Sequence, residues 1–164
     1  MQELSVEIVL PARVDQVWKV LVQFDAYSSW NPYLAMTGEA VPNGRVKMES
    51  TPGPSKQPKT TYAKISKFIP NAELEMRNGL PFVTESVRFF QLAAVEEKTL
   101  LRHGVRLSGP LAKQWFAGEA RVRQLRAYYD AFGAALTDRL QGRRLRNTSG
   151  NRHARRAREA RQKS

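Results

Sequence analysis

Cysteine is absent from the 164-residue chain, which excludes disulfides and thiolate chemistry. No apolar run approaches the roughly 18 residues that a membrane-spanning helix needs. The first residues, MQELSVEIVLPARVDQ, lack the basic segment and long apolar run of a signal peptide. We therefore expect a soluble, cytoplasmic protein. The hydrophobic fraction of 41% is enough for a core, and the length suits one domain with an appendage.

Motifs of the standard catalytic classes are also missing. The chain has two histidines, and a zinc site would need carboxylates that occur at no recognisable spacing. The Gly-x-Ser-x-Gly elbow, the glycine-rich phosphate loop and the dinucleotide fingerprint are absent. We therefore expect no metal and no cofactor, and no hydrolase, kinase or dehydrogenase of a standard type.

Positive charge is concentrated at the C-terminus. The formal net charge is +12, and residues 143–164 hold nine basic side chains against one acidic side chain. With one large apolar residue, Leu145, this segment cannot bury enough surface to offset the entropy of ordering. We predict a folded domain over residues 1–142 and a basic, disordered tail over residues 143–164. The tail is either a solubilising extension or a non-specific site for nucleic acid or anionic membrane. Its candidate polyanion-binding residues are Arg143, Arg144, Arg146, Arg152, Arg155, Arg156, Arg158 and Arg161.

The apolar pattern of the domain predicts one strand, two short helices, six more strands and one long helix. LSVEIVL alternates as a strand does, and ARVDQVWKVLVQF follows helical spacing. Short turns between the later strands indicate an antiparallel sheet. After SGP, a spacing of three or four predicts an amphipathic helix from about Leu111 to Leu140, about 45 Å long. This helix is long enough to cover one face of the sheet, and we expect a cavity between the two.

Two segments resemble the SRPBCC, or START-like, helix-grip superfamily, and in particular its polyketide cyclase/dehydrase-like branch. VWKVLVQFDAYSSWNPYL is similar to the helix-turn segment of that superfamily. TLLRHGVRLSGPL is similar to a motif of His, Glu, an apolar residue and Gly at every second position, here His103, Val105, Leu107 and Gly109, with the Glu replaced by Val105. The resemblance covers residues 1–141. It implies an α+β fold in which a curved antiparallel sheet of six to seven strands grips the last helix, and a cavity for a lipid, isoprenoid, polyketide or aromatic molecule.

The first of these two segments contains the sequence WNP, which places a large apolar ring, Trp30, in an otherwise polar turn. In similar proteins the turn closes one end of the cavity, which implies that Trp30 is buried against the sheet or the last helix. We expect its indole N–H to find an acceptor. The alternative is that Trp30 fills the core and contacts no ligand.

His103 and Arg88 are the polar candidates for a ligand site. His103 alternates with Leu101 and Val105, so it faces inward and either binds a ligand, acts as a general base, or is a core histidine. Arg88 shares a face with Phe90, but FF places an aromatic on both faces. Arg88 is therefore either a cavity cation for a carboxylate or enolate, or a solvated residue. Glu49, Tyr62 and Glu85 are weaker candidates. The predicted ligand-binding residues are Trp30, Arg88, Phe90, His103, Val105, Val122, Leu125, Tyr129 and Phe132.

Three functions remain open at this stage. The first is the binding of a small apolar ligand in the internal cavity. The second is a cyclase/aromatase-like enzyme, in which the cavity folds the substrate and His103 or a carboxylate moves protons. The third is a protein anchored to a polyanion or membrane through the tail. Two titrating groups that converge in the cavity would favour the enzyme, and a lining of carbon alone would favour the carrier. The pattern assigns no catalytic residue and no oligomeric state.

Overall fold

The computed structural model describes residues 1–51 and 57–142 of the chain, so the predicted basic tail lies outside the described residues. The helices are α1 (Val14–Val22), α2 (Ala112–Trp115) and α3 (Glu119–Leu140), with a 3-10 helix over Phe24–Ser29. The strands are β1 (Gln2–Leu10), β2 (Leu34–Gly38), β3 (Arg45–Ser50), β4 (Lys59–Ile69), β5 (Glu73–Leu80), β6 (Thr84–Val95) and β7 (Lys98–Ser108).

The seven strands form one antiparallel sheet in the order β1-β7-β6-β5-β4-β3-β2. Strands β2 to β7 follow one another as hairpins, while α1 and the 3-10 helix carry the chain from β1 across to β2 at the opposite edge. The sheet curls into a half-barrel with α3 along it, which confirms the predicted α+β helix-grip fold. The predicted number and order of strands are confirmed as well.

The last helix is shorter than the spacing of its apolar residues predicts. Helix α3 begins at Glu119 and has 22 residues, about 33 Å at 1.5 Å per residue. The prediction of one helix from Leu111 to Leu140 was wrong because Gly118, with φ of 112° and ψ of 121°, interrupts the helical backbone. The preceding segment forms the separate α2, and Trp115 at its end is 45% exposed.

The core consists of two neighbouring clusters that α3 joins. The larger cluster is formed by buried residues of α1, the 3-10 helix and β2 to β7, together with Leu10 of β1 and Phe132 and Leu136 of α3. The smaller cluster packs Tyr129 of α3 against β1 and the end of β7. Gly133 lies between these positions, and a Cβ there would lie 3.3 Å from the Ile8 side chain and 3.8 Å from His103 Nε2. Glycine thus lets α3 approach the sheet directly over His103.

None of the helices within the described ranges combines the length and the apolar character needed to cross a membrane.

Candidate functional site

The WNP turn places Trp30 in the core. Its ring centroid lies 4.8 Å from that of Tyr27 and 5.5 Å from that of Phe132 on α3. The turn is fixed by Asn31, whose side-chain oxygen accepts a hydrogen bond of 2.9 Å from the backbone N–H of Tyr33. The predicted contact with the last helix is therefore present. The expected acceptor for the indole N–H is not, because the packed neighbours are aromatic rings and Nε1 has no partner within the described chain.

Arg88 lies on the concave face of β6 and is 8% exposed. The alternative of a solvated Arg88 is thus wrong. Its Nη1 donates a hydrogen bond of 3.2 Å to the Tyr128 hydroxyl. The guanidinium carbon lies between 5.2 and 5.5 Å from the ring centroids of Phe90, Tyr128, Tyr129 and Phe132. The cation is therefore held mainly by aromatic rings, an arrangement that stabilises a buried charge only in part.

His103 is fully buried beneath α3. It is the cross-strand partner of Phe90, and the two rings are parallel with centroids 6.0 Å apart. The rings of Phe132 and Tyr129 lie 5.2 and 5.6 Å away. The prediction that alternation turns His103 inward is confirmed, and the same three rings also surround Arg88.

The polar atoms of this cluster are largely unpartnered. Within residues 1–51 and 57–142, five buried side-chain nitrogens have no hydrogen-bond partner: Trp30 Nε1, Arg88 Nε and Nη2, and both ring nitrogens of His103. Most native buried polar groups are satisfied, so five in one cluster require an explanation. No ion pair of the described chain includes Arg88.

The electrostatics of the cluster are those of one fixed cation among neutral groups. Burial, followed by the nearby charge of Arg88, lowers the pKa of His103 to about 3. Burial raises the pKa of Tyr129 to about 12, although the Arg88 charge acts in the opposite direction. Burial also raises the pKa of Tyr27. At neutral pH the imidazole and these phenols are therefore uncharged, and none supplies a counter-ion to Arg88.

The predicted site residues divide between the two core clusters. Trp30, Phe90 and Phe132 join the first cluster, with Arg88 and His103 packed against their rings. Tyr129 joins Val105, Val122 and Leu125 in the smaller one. The weaker candidates lie elsewhere: Tyr62 is exposed, and Glu49 and Glu85 form ion pairs with Lys47 and Arg77.

Sequence reasoning left two tyrosines out of the site. Tyr128 provides the hydroxyl that binds Arg88, but it lies outside the apolar spacing of α3. Tyr27 packs on Trp30 and donates a hydrogen bond of 2.7 Å to the Leu21 carbonyl. Its place before the WNP turn was the available signal, because a short turn brings both rings to the same side.

An open groove of about 560 Å³ lies away from this cluster, beside the end of α1 and the end of β2. It is lined by Val22, Gln23, Phe24, Asp25, Ala26, Gly38, Glu39 and Ala40, so neither Arg88 nor His103 borders it. Over the described residues, no three His, Asp or Glu side chains are grouped so that they could hold a metal ion.

We compared the sequence and the fold with those of known proteins. Residues 1–141 match the family described as polyketide cyclase/dehydrase and lipid transport. The chain belongs to this family. Its fold is similar to that of a START superfamily protein from Mycobacterium smegmatis, with 15% identity and a TM-score of 0.67 over 85% of this chain and 97% of the other. No curated protein matches the chain.

Two further structures share the fold of this family member. A protein from Arthrobacter aurescens is 15% identical, with a TM-score of 0.63 over 83% of this chain and 86% of the other. The di-domain ARO/CYC BexL from the BE-7585A biosynthetic pathway is 16% identical, with a TM-score of 0.64 over 86% of this chain. The match covers 47% of BexL, so this chain corresponds to about half of that protein. At such identities the likeness establishes the fold, and the chemistry must be argued from the site.

Proposed function

We propose that the domain binds a small, mostly apolar molecule that carries an acidic or strongly accepting oxygen, between the concave face of the sheet and α3. Arg88 is the partner of that oxygen, and neutral His103 provides a further hydrogen-bonding group. A fatty acid, an acidic isoprenoid, an aromatic carboxylic acid or an enolised polyketide has this character. The observation that carries the proposal is a buried guanidinium for which the described chain supplies no carboxylate.

The energetics of burial support an acidic ligand. A buried charge is costly unless it is paired and hydrogen-bonded. The Tyr128 hydroxyl satisfies one nitrogen of Arg88, and two nitrogens remain without an acceptor. A carboxylate has two oxygens in the geometry of the guanidinium fork. The aromatic rings around Arg88 would then provide the apolar wall that such a binding site needs.

Access to Arg88 requires movement of the aromatic side chains. The unpartnered nitrogens are out of reach of solvent, and Trp30, Phe90 and Phe132 are all buried around them. A ligand therefore reaches the cation only after these rings, or α3 itself, shift outward. The family description, which includes lipid transport, is consistent with such a ligand class.

The test compares acids with their methyl esters. Displacement of an environment-sensitive apolar dye is measured for a medium-chain fatty acid, a naphthoic acid and the methyl ester of each. We expect at least one of the two acids to bind at least about tenfold more tightly than its ester at neutral pH, because a hydrogen bond to a charged group contributes about 1.5–3 kcal/mol. Arg88→Met should remove that preference and leave ester binding in place.

The matched control is Arg126→Met, which removes an exposed arginine of the same helix-grip domain from α3. It should retain the preference of the native chain. Equal affinity for acid and ester, or an unchanged preference in Arg88→Met, would show that Arg88 is not the ligand's partner.

The basic tail is proposed as a separate element. Its charge suits loose attachment to phosphate-bearing polymers or surfaces, independently of the internal site. The excess of basic residues over residues 143–164 supports this role.

A further inference from the structure

One end of the sheet exposes large apolar side chains. At this end the turn between β5 and β6 meets the segment that leads from β7 into α2. Phe82 is 97% exposed and Leu80 is 68% exposed. We call these side chains the apolar tip, and they are Leu80, Phe82, Val83, Leu111 and Trp115.

The two segments of the apolar tip lie side by side. Ser108 at the end of β7 pairs with Glu85 near the start of β6. A Cβ on Gly109 would lie 2.5 Å from the Val83 carbonyl oxygen, so the backbone after β7 touches the turn. Helix α2 starts directly afterwards, with the Ala112 N–H donating to the Gly109 carbonyl. The tip is therefore one surface, although its residues are about 30 positions apart in sequence.

The conformation of Phe82 gives the fold no evident benefit. Its φ of 67° lies in the left-handed region, which is strained for a bulky side chain. In the part of the chain that the structure describes, the other non-glycine residues with positive φ are Asn43, Asn71 and Glu96. A ring that is almost wholly exposed gains no packing in return, and a strained residue is a reason to look for a function.

Two cations lie against Trp115 in the apolar tip. Lys59 Nζ lies 5.3 Å from the Trp115 ring centroid, and the Arg121 guanidinium carbon lies 5.6 Å from it. Lys113 is exposed on α2, two residues before Trp115 in the sequence. Within the described ranges these three side chains take part in no ion pair.

We propose that the apolar tip docks on the surface of an anionic lipid bilayer. Leucine, valine and phenylalanine side chains gain free energy at the boundary between headgroups and acyl chains, and tryptophan favours that interface. The three unpaired cations lie where lipid phosphates would neutralise them. A convex turn that projects a single ring suits a fluid surface, which deforms around it, better than a protein partner that would need a matching pocket. The proposal depends neither on the internal ligand nor on the basic tail.

Tryptophan fluorescence tests this with the full chain. The chain has three tryptophans, of which Trp18 and Trp30 are buried and Trp115 is partly exposed. Vesicles of phosphatidylcholine and phosphatidylglycerol with brominated acyl chains should quench Trp115 emission, and pure phosphatidylcholine should do so much less. In Trp115→Phe the quenching should disappear while the vesicle partition coefficient falls only modestly.

Two variants of the tip measure its contribution. Phe82→Asn should lower the partition coefficient by at least about tenfold, because burial of a phenylalanine ring is lost. Asparagine tolerates the left-handed region, so this variant should remain folded. Lys59→Gln should lower the coefficient about fivefold, the equivalent of one basic residue at an anionic surface.

The control is Val95→Asn, which removes an exposed apolar side chain at the opposite end of β6. It should leave the partition coefficient unchanged. Vesicle binding without Trp115 quenching would mean adsorption through another surface, such as the tail, and would overturn the proposal. An unchanged partition coefficient in Phe82→Asn would overturn it too. So would concentration-dependent self-association that Phe82→Asn abolishes, since the tip would then be a protein contact.

Discussion

Replacing Arg88 by methionine should stabilise the domain while it removes the proposed acid-binding group. The guanidinium is buried, and the described chain offers it one hydroxyl and four aromatic rings but no counter-charge. Methionine has an unbranched chain that fits the path of the arginine methylenes and leaves no polar atom to satisfy. Arginine at position 88 therefore favours the proposed binding, whereas methionine at the same position favours stability.

The magnitude follows from the contacts of Arg88. The two nitrogens that lack acceptors cost about 1–3 kcal/mol each. Removing these nitrogens stabilises the variant, and burial of the methionine side chain adds roughly 1 kcal/mol. Two lost interactions oppose this gain. The Tyr128 hydrogen bond is worth about 1.5–3 kcal/mol, and the cation–π contacts about 0.5–2 kcal/mol. Tyr128 is only half-buried, so its hydroxyl can turn to solvent. The free energy of unfolding should rise by about 1–2 kcal/mol.

Urea denaturation followed by tryptophan fluorescence measures the change. With a slope of about 2 kcal/mol/M, the midpoint should increase by roughly 0.5–1 M. Arg126→Met, which changes an exposed arginine of α3, should shift the free energy of unfolding by less than about 0.5 kcal/mol. A lower midpoint for Arg88→Met would refute the reasoning, because the guanidinium would then stabilise the fold through its own contacts and would not need a ligand as its partner.

Three further outcomes are expected. The imidazole has a pKa near 6.5 in the unfolded chain, whereas the pKa of folded His103 is about 3, so the unfolded chain takes up a proton first as the pH falls. The free energy of unfolding should therefore fall by about 2 kcal/mol between pH 7.5 and pH 5. In urea titrations, His103→Gln should not show this decrease. His103→Gln should also weaken binding of an oxygenated ligand by about 1–3 kcal/mol in the dye assay; unchanged affinity would leave His103 a core residue. Truncation after Gly142 should preserve the melting temperature and ligand affinity, yet reduce retention on heparin and RNA; full retention would instead place the basic surface on α3.

The orientation of His103 could be predicted from sequence, whereas that of Arg88 could not. Leu101 and Val105 flank His103 with a clear alternation, and all three are buried on the same face. In β6 the residues from Val87 to Phe90 are all buried, so period-two alternation disappears. The reason is that Phe89, on the outer face, is covered by Arg102 and Arg106, whose guanidinium carbons lie 5.3 and 4.2 Å from its ring. Phe89 is therefore buried on the outer face by two arginine side chains, and the hydrophobic pattern of the sequence alone does not predict this.

The end of the domain where α2 lies was the least predictable part. Leu111 and Trp115 are four residues apart, as on one face of a helix. Gly118 then interrupts the helical backbone, so that two helices form instead of one. A short turn between β5 and β6 agrees with the antiparallel hairpins that the sequence predicts, but the exposure of Phe82 depends on a positive φ that the sequence does not signal. The exposure of the apolar tip therefore depends on local backbone conformation, which the amino-acid composition does not predict.

The electrostatics of the site bear on the choice between a carrier and a cyclase-like enzyme. A general base works best when its pKa is near the working pH, and that of His103 is about 3. A bound carboxylate beside Arg88 would cancel the charge that disfavours the imidazolium, but burial, the larger cause, would remain. Tyr129, with a pKa of about 12, is an equally poor base at neutral pH. The cluster is therefore suited to binding and orienting an acidic ligand. An enzyme built on it would act by holding its substrate in one folded conformation, and not by relaying protons.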